Sequence, residues 1–314
     1  MNNLNKKKLL VILGPTATGK TTLAVKLASQ FNGEIVSADS RQVYKGMDIG
    51  TGKDLDDYVV KSKVKSQKSK VIRTPYHLID VVSPKTEFNL AKYLKLAHRA
   101  IKDIQERGKL PILAGGTGLY LQAIVDGYNL SQVKPDKKLR EKLEKKSVLA
   151  LQKMLSKLDP KFSNDLKNKR YLIRYIEIAK QTKKPLQQFL TKQGSEYDCL
   201  VLGVKFSREV INQRIDKRLI QRINREKMIE EVERLHKEGV SWKRLESFGL
   251  EYKFIGQYLQ KKLNKEELIE KLAIAIHQFA KRQMSWFGRW ERQVGKIKWI
   301  KNYSVTKKLV KKWL

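Results

Sequence analysis

Gly14-Pro15-Thr16-Ala17-Thr18-Gly19-Lys20-Thr21 stands between the apolar run at 9–13 (LLVIL) and a helical spacing through Leu23, Leu27 and Ala28. The stretch fits G-x-x-x-x-G-K-[ST] in the strand–loop–helix setting where that pattern has physical meaning. Its glycines let the backbone curl so that successive N–H groups point at phosphate oxygens. The helix start adds a partial positive charge. Lys20 supplies a full charge, and the Thr21 hydroxyl is placed to help ligate Mg²⁺. Gly14, Pro15, Thr16, Ala17, Thr18, Gly19, Lys20 and Thr21 are therefore the expected phosphate cradle. The pattern does not say whose phosphate it holds.

Outward from the loop, residues 34–38 (EIVSA) read as a second strand, with Asp39 and Ser40 at its carboxyl end. Ligands lie at that end of open α/β sheets. Asp39 can act there as a general base, hold a metal-bound water, or cap the following turn. Residues 61–70 (KSKVKSQKSK) carry five lysines and no sustained apolar period, so an exposed loop is expected. A helical pattern spans 88–107, an apolar strand 110–114, and Gly115-Gly116-Thr117-Gly118 opens a further helix. Alternating strands and helices predict a P-loop NTPase-like α/β fold, a parallel sheet flanked by helices. No later strand ends in an apolar run plus Asp, because 110–114 leads into Gly-Gly-Thr. That excludes a nucleotide-driven motor and leaves a group-transfer enzyme of kinase-like build.

From 129 to 195 strand signals vanish and the pattern is helical and basic, punctuated by Pro135, Pro160 and Pro185. An all-helical insertion domain is expected there, splitting the catalytic core into 1–128 and 196–314. A strand returns at 199–206, long charged helices run to Arg292, residues 296–300 suit a short strand, and a basic tail follows.

Lys and Arg number 67 against 32 acidic residues, a formal charge of +35. Such a surface repels itself unless a polyanion is near, and neutralised phosphates release condensed counterions. Nucleic acid is the functional reading; a merely lysine-biased composition is the alternative. One cysteine, Cys199, excludes an internal disulfide framework and a cysteine-rich zinc site. No apolar stretch approaches membrane-helix length, and the polar, lysine-rich start lacks a secretory pattern. A cytoplasmic protein without a membrane partner is expected.

Five ordered stretches carry a resemblance. GPTATGKT at 14–21, ADSRQVYKGMDIGTGK at 38–53, HLID at 77–80, RGKLPILAGGTGLYL at 107–121 and FAKRQMSWF at 279–287 resemble the signatures of the tRNA dimethylallyltransferases (tRNA isopentenyltransferases). The resemblance implies transfer of the dimethylallyl group of dimethylallyl diphosphate to N6 of the adenosine 3′-adjacent to the anticodon, with diphosphate leaving. It places prenyl diphosphate, not ATP, in the cradle, with Arg214 beside it and Mg²⁺ held through Thr21. It makes Asp39 the general base, with Thr21 and Arg218 in the catalytic set.

The partners it implies are dimethylallyl diphosphate and the anticodon stem-loop of tRNA, and a monomer is expected. The resemblance implies that Asp39, Ser40, Arg41 and Gln42 meet the extruded base, and that Thr117, Arg170, Arg174, Lys281, Arg282 and Gln283 contact the tRNA. Arg214 and Arg218 share one helical face. Arg222 continues that line, yet Glu226 and Glu230 share it, so Arg222 is read as a solvated ion-pair partner. Trp286, Phe287 and Trp290 suit base stacking or, preferably, helix core.

The sequence departs from the family in places. G-T-A-K-P appears as Gly50-Thr51-Gly52-Lys53-Asp54. I-G-Y-K-E is replaced by Phe248-Gly249-Leu250-Glu251-Tyr252-Lys253. Tyr171 takes an arginine's slot in R-x-x-R-A-L-E unless Arg170 fills it. Competing readings are an enzyme prenylating free adenine nucleotides, a small-molecule P-loop kinase, and a basic RNA-binding protein with a vestigial loop.

Overall fold

The computed structural model describes residues 6–62, 70–128, 133–160, 162, 166–189, 194–300 and 302–314. Two compact units form: Met1–Val125 with Glu196–Leu314, and Asp126–Ser195.

The first unit is built on a parallel sheet. β1 (Lys7–Leu13) leads through the glycine-rich loop into α1 (Lys20–Gln30), then β2 (Gly33–Ser37). An antiparallel hairpin, β3 (Val59–Ser62) and β4 (Lys70–Arg73), precedes the two-residue β5 (Tyr76–His77), α2 (Leu90–Glu106), β6 (Leu110–Gly115) and α3 (Gly118–Val125). The second unit holds α4 (Lys137–Glu144), α5 (Val148–Leu158) and α6 (Lys169–Thr182). The first unit resumes with β7 (Tyr197–Val204), α7 (Arg208–Asn224), α8 (Met228–Lys237), α9 (Trp242–Phe248), α10 (Leu250–Leu259), α11 (Lys265–Val294), β8 (Ile297–Ile300) and α12 (Tyr303–Trp313).

Sheet order is β5-β2-β6-β1-β7-β8, every pairing parallel. Leu9 through Leu13 have no exposed surface, as a strand covered on both faces requires. Leu10 stands opposite Ile112 on one side and Leu200 on the other. α2 covers the sheet with Tyr93, Leu94, Ala97, Ile101 and Ile104, a three–four spacing that puts one stripe inward. α11 is 30 residues long and starts with a capping box between Asn264 and Glu267. Its buried stripe runs Leu268, Leu272, Ile276, Ala280, Gln283, Phe287 and Trp290. Gln283 is the one polar member, and it marks where the helix meets the site.

Two expectations change. Residues 61, 62 and 70, expected in an exposed loop, belong to the hairpin; 63–69 lie outside the described residues. Beyond residue 302 the chain is a helix rather than a bare basic tail: Asn302 caps Val305, and Thr306 and Val310 are buried. Its lysines mask a real apolar period.

In the second unit, Leu143, Leu151, Leu155, Leu172 and Ile176 form the core. Glu177 is fully buried there and accepts from the Asp136 amide at 2.6 Å, from Arg140 at 2.7 Å and from Arg174. Burial alone would raise its pKa, but the hydrogen bonds from Arg140, Arg174 and Asp136 outweigh it and hold the carboxyl below its usual value. A lowered folded pKa contributes stability above the unfolded pKa and loses it as pH falls through the folded one. Glu177→Gln is expected to cost about 1–3 kcal/mol at neutral pH. In unfolding melts at pH 7 and pH 3, the gap from the unmodified protein should narrow on acidification.

Candidate active site

The carboxyl ends of β1, β2 and β6 meet around one cavity of about 200 Å³. In the loop after β1, Ala17 and Gly19 take φ of 62° and 76°. Left-handed residues of this kind turn consecutive amides toward one point and form an anion-binding nest. Thr18 Oγ1 donates to the Pro15 carbonyl at 2.8 Å and closes the turn.

Two helices hold this loop from outside. On α11, Gln283 Oε1 accepts from the Thr16 amide at 2.9 Å, and Nε2 donates to the Gly116 carbonyl at 2.8 Å. On α7, Arg218 Nη2 donates to Thr16 Oγ1 at 2.6 Å; one turn earlier, Arg214 lies over the Phe206 ring and reaches toward the Ala17 carbonyl. Burial pushes Lys20 down to about 8, with Asp39 acting against the shift and Arg218 adding to it. Burial likewise pushes Arg218 down to about 10, helped by Arg222. These cations are crowded and dehydrated, the condition in which an arriving anion binds best.

Asp39 lines the same cavity, just beyond β2. Its Oδ1 accepts from the Arg41 amide at 2.9 Å and the Gln42 amide at 3.4 Å, so it also caps the following turn. Two of the roles left open by the sequence are therefore compatible. Thr117 ties β6 to β2: its amide donates to the Ala38 carbonyl, and its hydroxyl accepts from the Ser40 amide at 3.0 Å. Gln42 spans from Ser37 to the Gly52 carbonyl. Arg41 lines the cavity with Nη1 buried and without a hydrogen-bond partner among the described residues.

Gly50, Thr51, Gly52 and Asp54, in the loop 48–54, also line the cavity. Glu231, buried on α8, accepts from the amides of Asp48, Ile49 and Gly50 at 2.7–3.1 Å, and Tyr252 donates to it at 2.8 Å. Lys53, 1% exposed, bonds the Tyr44 carbonyl, Asp48 and Asp80. Glu251, in the stretch where the sequence departs from the family, lines the cavity. Burial raises its pKa against the pull of Arg41, Arg218 and Arg222.

Several expected positions differ in placement. Gln283, expected on the tRNA side, is buried and committed to the glycine-rich loop, while Lys281 and Arg282 are exposed. Arg222 is buried rather than solvated; it pairs with Asp54 at 2.9 Å, with Glu226 farther off at 3.6 Å. Phe287 and Trp290 are core, and Trp286 donates to Gln122 at 3.0 Å. In the second unit, Arg170 and Tyr171 are exposed, whereas the Arg174 guanidinium is engaged by Glu177 and the Val133 carbonyl. The sequence reading missed Asp54, Asp57, Tyr58, Glu251, Ile276 and Phe279, which also line the cavity. The i+3 and i+7 spacing of Ile276, Phe279 and Gln283 was the available signal.

Gln283→Ala removes two hydrogen bonds that shape the loop, each contributing about 1 kcal/mol. It is expected to weaken inorganic diphosphate binding about tenfold or more in calorimetry and to lower the unfolding midpoint by a few degrees.

Comparison with known proteins agrees with this architecture. The model of the IPP transferase family matches residues 42–290, and that of the isopentenyl transferase family residues 7–66. The tRNA dimethylallyltransferase 1 of Syntrophus aciditrophicus is 44% identical over 310 residues, covering 97% of this chain and 98% of its own. The tRNA dimethylallyltransferase 2 of Treponema denticola is 46% identical over 301 residues, 94% of this chain and 96% of its own. The crystal structure of the full-length tRNA isopentenylpyrophosphate transferase from Bacillus halodurans superposes with TM-score 0.67 at 33% identity, over 98% of this chain and 95% of that one. A eukaryotic dimethylallyltransferase caught in crystallographic snapshots acting on tRNA gives TM-score 0.76 at 28% identity, over 94% of this chain and 73% of that one. A parallel sheet with a glycine-rich anion loop, matched over nearly its whole length by these proteins, makes this chain a member of the IPP transferase family, the tRNA dimethylallyltransferases.

Proposed function

We propose that this protein transfers the dimethylallyl group of dimethylallyl diphosphate to N6 of the adenosine 3′-adjacent to the anticodon of tRNA, releasing diphosphate. The observation that carries this reading is that a carboxylate and an anion cradle line one cavity: Asp39 together with Lys20, Thr16 and Arg218. Such a site suits a reaction in which one partner loses a proton while the other sheds a highly charged diphosphate.

The N6 lone pair forms the new bond to the prenyl carbon as that carbon's bond to the diphosphate oxygen breaks. The electron pair of the broken bond leaves on diphosphate, where Lys20, Arg218 and the loop amides meet it. The N6 proton passes to Asp39. Arg41, Gln42 and Thr117 shape the floor on which the adenine rests. An adenosine in a stacked loop has to turn out to reach this floor, which costs a few kcal/mol.

Mg²⁺ fits the donors present: Thr21, whose hydroxyl is a hard oxygen ligand, lines the cavity together with Asp39. Bound there with the substrate's phosphates, the ion would add charge stabilisation for the leaving group. Among the described residues no cluster of three His, Cys, Asp or Glu forms a protein-only cage, so phosphate oxygens and water would complete its shell.

Lys20, Asp39 and Arg218 of one chain line one cavity, which supports reading the enzyme as a monomer. Exposed Lys281, Arg282 and Arg170 are available to phosphates of the RNA. An enzyme acting on free adenine nucleotides would need no such surface.

Mass spectrometry of nucleosides from tRNA incubated with the protein and dimethylallyl diphosphate tests the reading directly. The expected product is N6-dimethylallyl adenosine; phosphate transfer from ATP to a small acceptor, with unmodified tRNA, would sink it. Asp39→Asn keeps an oxygen to cap the Arg41 amide but cannot take the proton. It is expected to lower kcat about 10²–10⁴-fold while tRNA affinity stays within about twofold. Full activity in that variant would remove Asp39 from the general-base role. Arg170→Ala should shallow the salt dependence of tRNA binding, log K against log salt, by about 0.7–0.9. An unchanged slope would remove Arg170 from the phosphate contacts.

A further inference from the structure

The loop 50–54 departs from the family's G-T-A-K-P at two positions, Gly52 for alanine and Asp54 for proline, and one side chain answers both. The Arg222 guanidinium, 5% exposed on α7, packs into this loop from the cavity wall. A Cβ on residue 52 would stand 3.2 Å from both its Nη1 and its Nη2, and Gly52 has φ 65°. Alanine there would be strained in backbone and crowded against the guanidinium. Two residues on, both Asp54 carboxylate oxygens lie 2.9 Å from Arg222 Nη2. Asp54 itself has φ 36°, a left-handed conformation closed to proline, whose ring fixes φ near −65°. Gly52 makes the room and Asp54 supplies the counter-charge.

Arg222 is one helical turn beyond Arg218 and lines the same cavity as Arg218 and Lys20. With only Glu226 at 3.6 Å to oppose it, it would put most of a further positive charge beside the diphosphate. A buried arginine next to another cation, Arg218, is tolerated only with a carboxylate close by.

We infer that Asp54 is a positioning residue that seats Arg222 in the cavity wall and offsets its charge, so that the site holds diphosphate loosely enough to release it. The inference rests on the cavity being the diphosphate site, as proposed above. The leaving group is also the product that has to depart, and cations that stabilise it as it forms also retain it afterwards. Asp54 lets the wall keep a guanidinium while lowering the net field on the product.

The test is a double-mutant cycle on the full chain with Mg²⁺ present, reading the Kd of inorganic diphosphate by calorimetry. Asp54→Asn preserves the side-chain shape and removes the charge. It is expected to tighten binding about five- to twentyfold. Arg222→Met leaves Asp54 facing the anion uncompensated and should weaken binding by a similar factor. The double variant should return to within about threefold of the unmodified protein. Mere loss of loop structure would weaken binding in Asp54→Asn, the opposite direction. If that variant does not fold, Arg222→Met compared with the double variant gives the same sign, the double variant binding more tightly.

Asp54→Asn binding equal to or weaker than the unmodified protein overturns the inference, as does a double variant no tighter than Arg222→Met. Absence of diphosphate binding by the unmodified protein overturns instead the transferase reading on which it rests.

Discussion

Five consecutive residues with no exposed surface, Leu9 to Leu13, sit between β6 and β7, and the placement of the loops that carry Lys20, Asp39 and Thr117 follows from them. A strand buried on both faces has to satisfy its backbone through neighbouring strands. Parallel pairing on both sides brings the neighbours' carboxyl ends to the same edge. The glycine-rich loop leaves β1 at that edge, Asp39 leaves β2, and the Gly116–Thr117 turn leaves β6. The sheet side of the cavity is thus a consequence of how a hydrophobic strand is hydrogen-bonded.

At that edge the charges decide what enters. Lys20, Arg218 and Arg222 line a cavity that also holds Asp39, Asp54, Asp57 and Glu251. The acids are not spread evenly in what they touch. Asp39 caps a turn and Asp54 grips Arg222, while burial raises Asp57, with Asp54 and Asp56 adding to it, and raises Glu251. The cation side is held from outside by α7 and α11, through Arg218 and Gln283 on the same residue, Thr16. Substrate charge therefore meets groups already fixed in place, the arrangement from which electrostatic stabilisation gains most.

What was legible in the sequence had local causes. The apolar run, the glycine spacing and the lysine-threonine pair are contiguous, and their geometry is dictated by neighbours in the chain. Asp39 was legible because a strand pattern ends just before it. Gln283 was half legible: as a polar residue in the stripe Ile276, Ala280, Phe287, Trp290 it announces a buried contact, but not that its partners are Thr16 and Gly116. Lys53 was invisible, one lysine in a lysine-rich chain, because its burial depends on Asp48, the Tyr44 carbonyl and Asp80 closing around it. Arg222 was misread for a related reason. Its i+4 neighbour Glu226 is near in sequence, whereas Asp54 lies 168 positions away and is nearer in space.

The sequence by itself determined the α/β order, the glycine-rich loop, the general-base candidate and the family, because each is written in short contiguous patterns. The tertiary structure alone decided which cations face the cavity and which carboxylate accompanies each of them. It turned Gln283 inward, buried Arg222, and made the departures at Gly52 and Asp54 parts of one arrangement around that arginine. Ion pairs and buried polar contacts form between residues far apart in the chain, and their strength is set by distance and dehydration, neither of which a linear pattern contains.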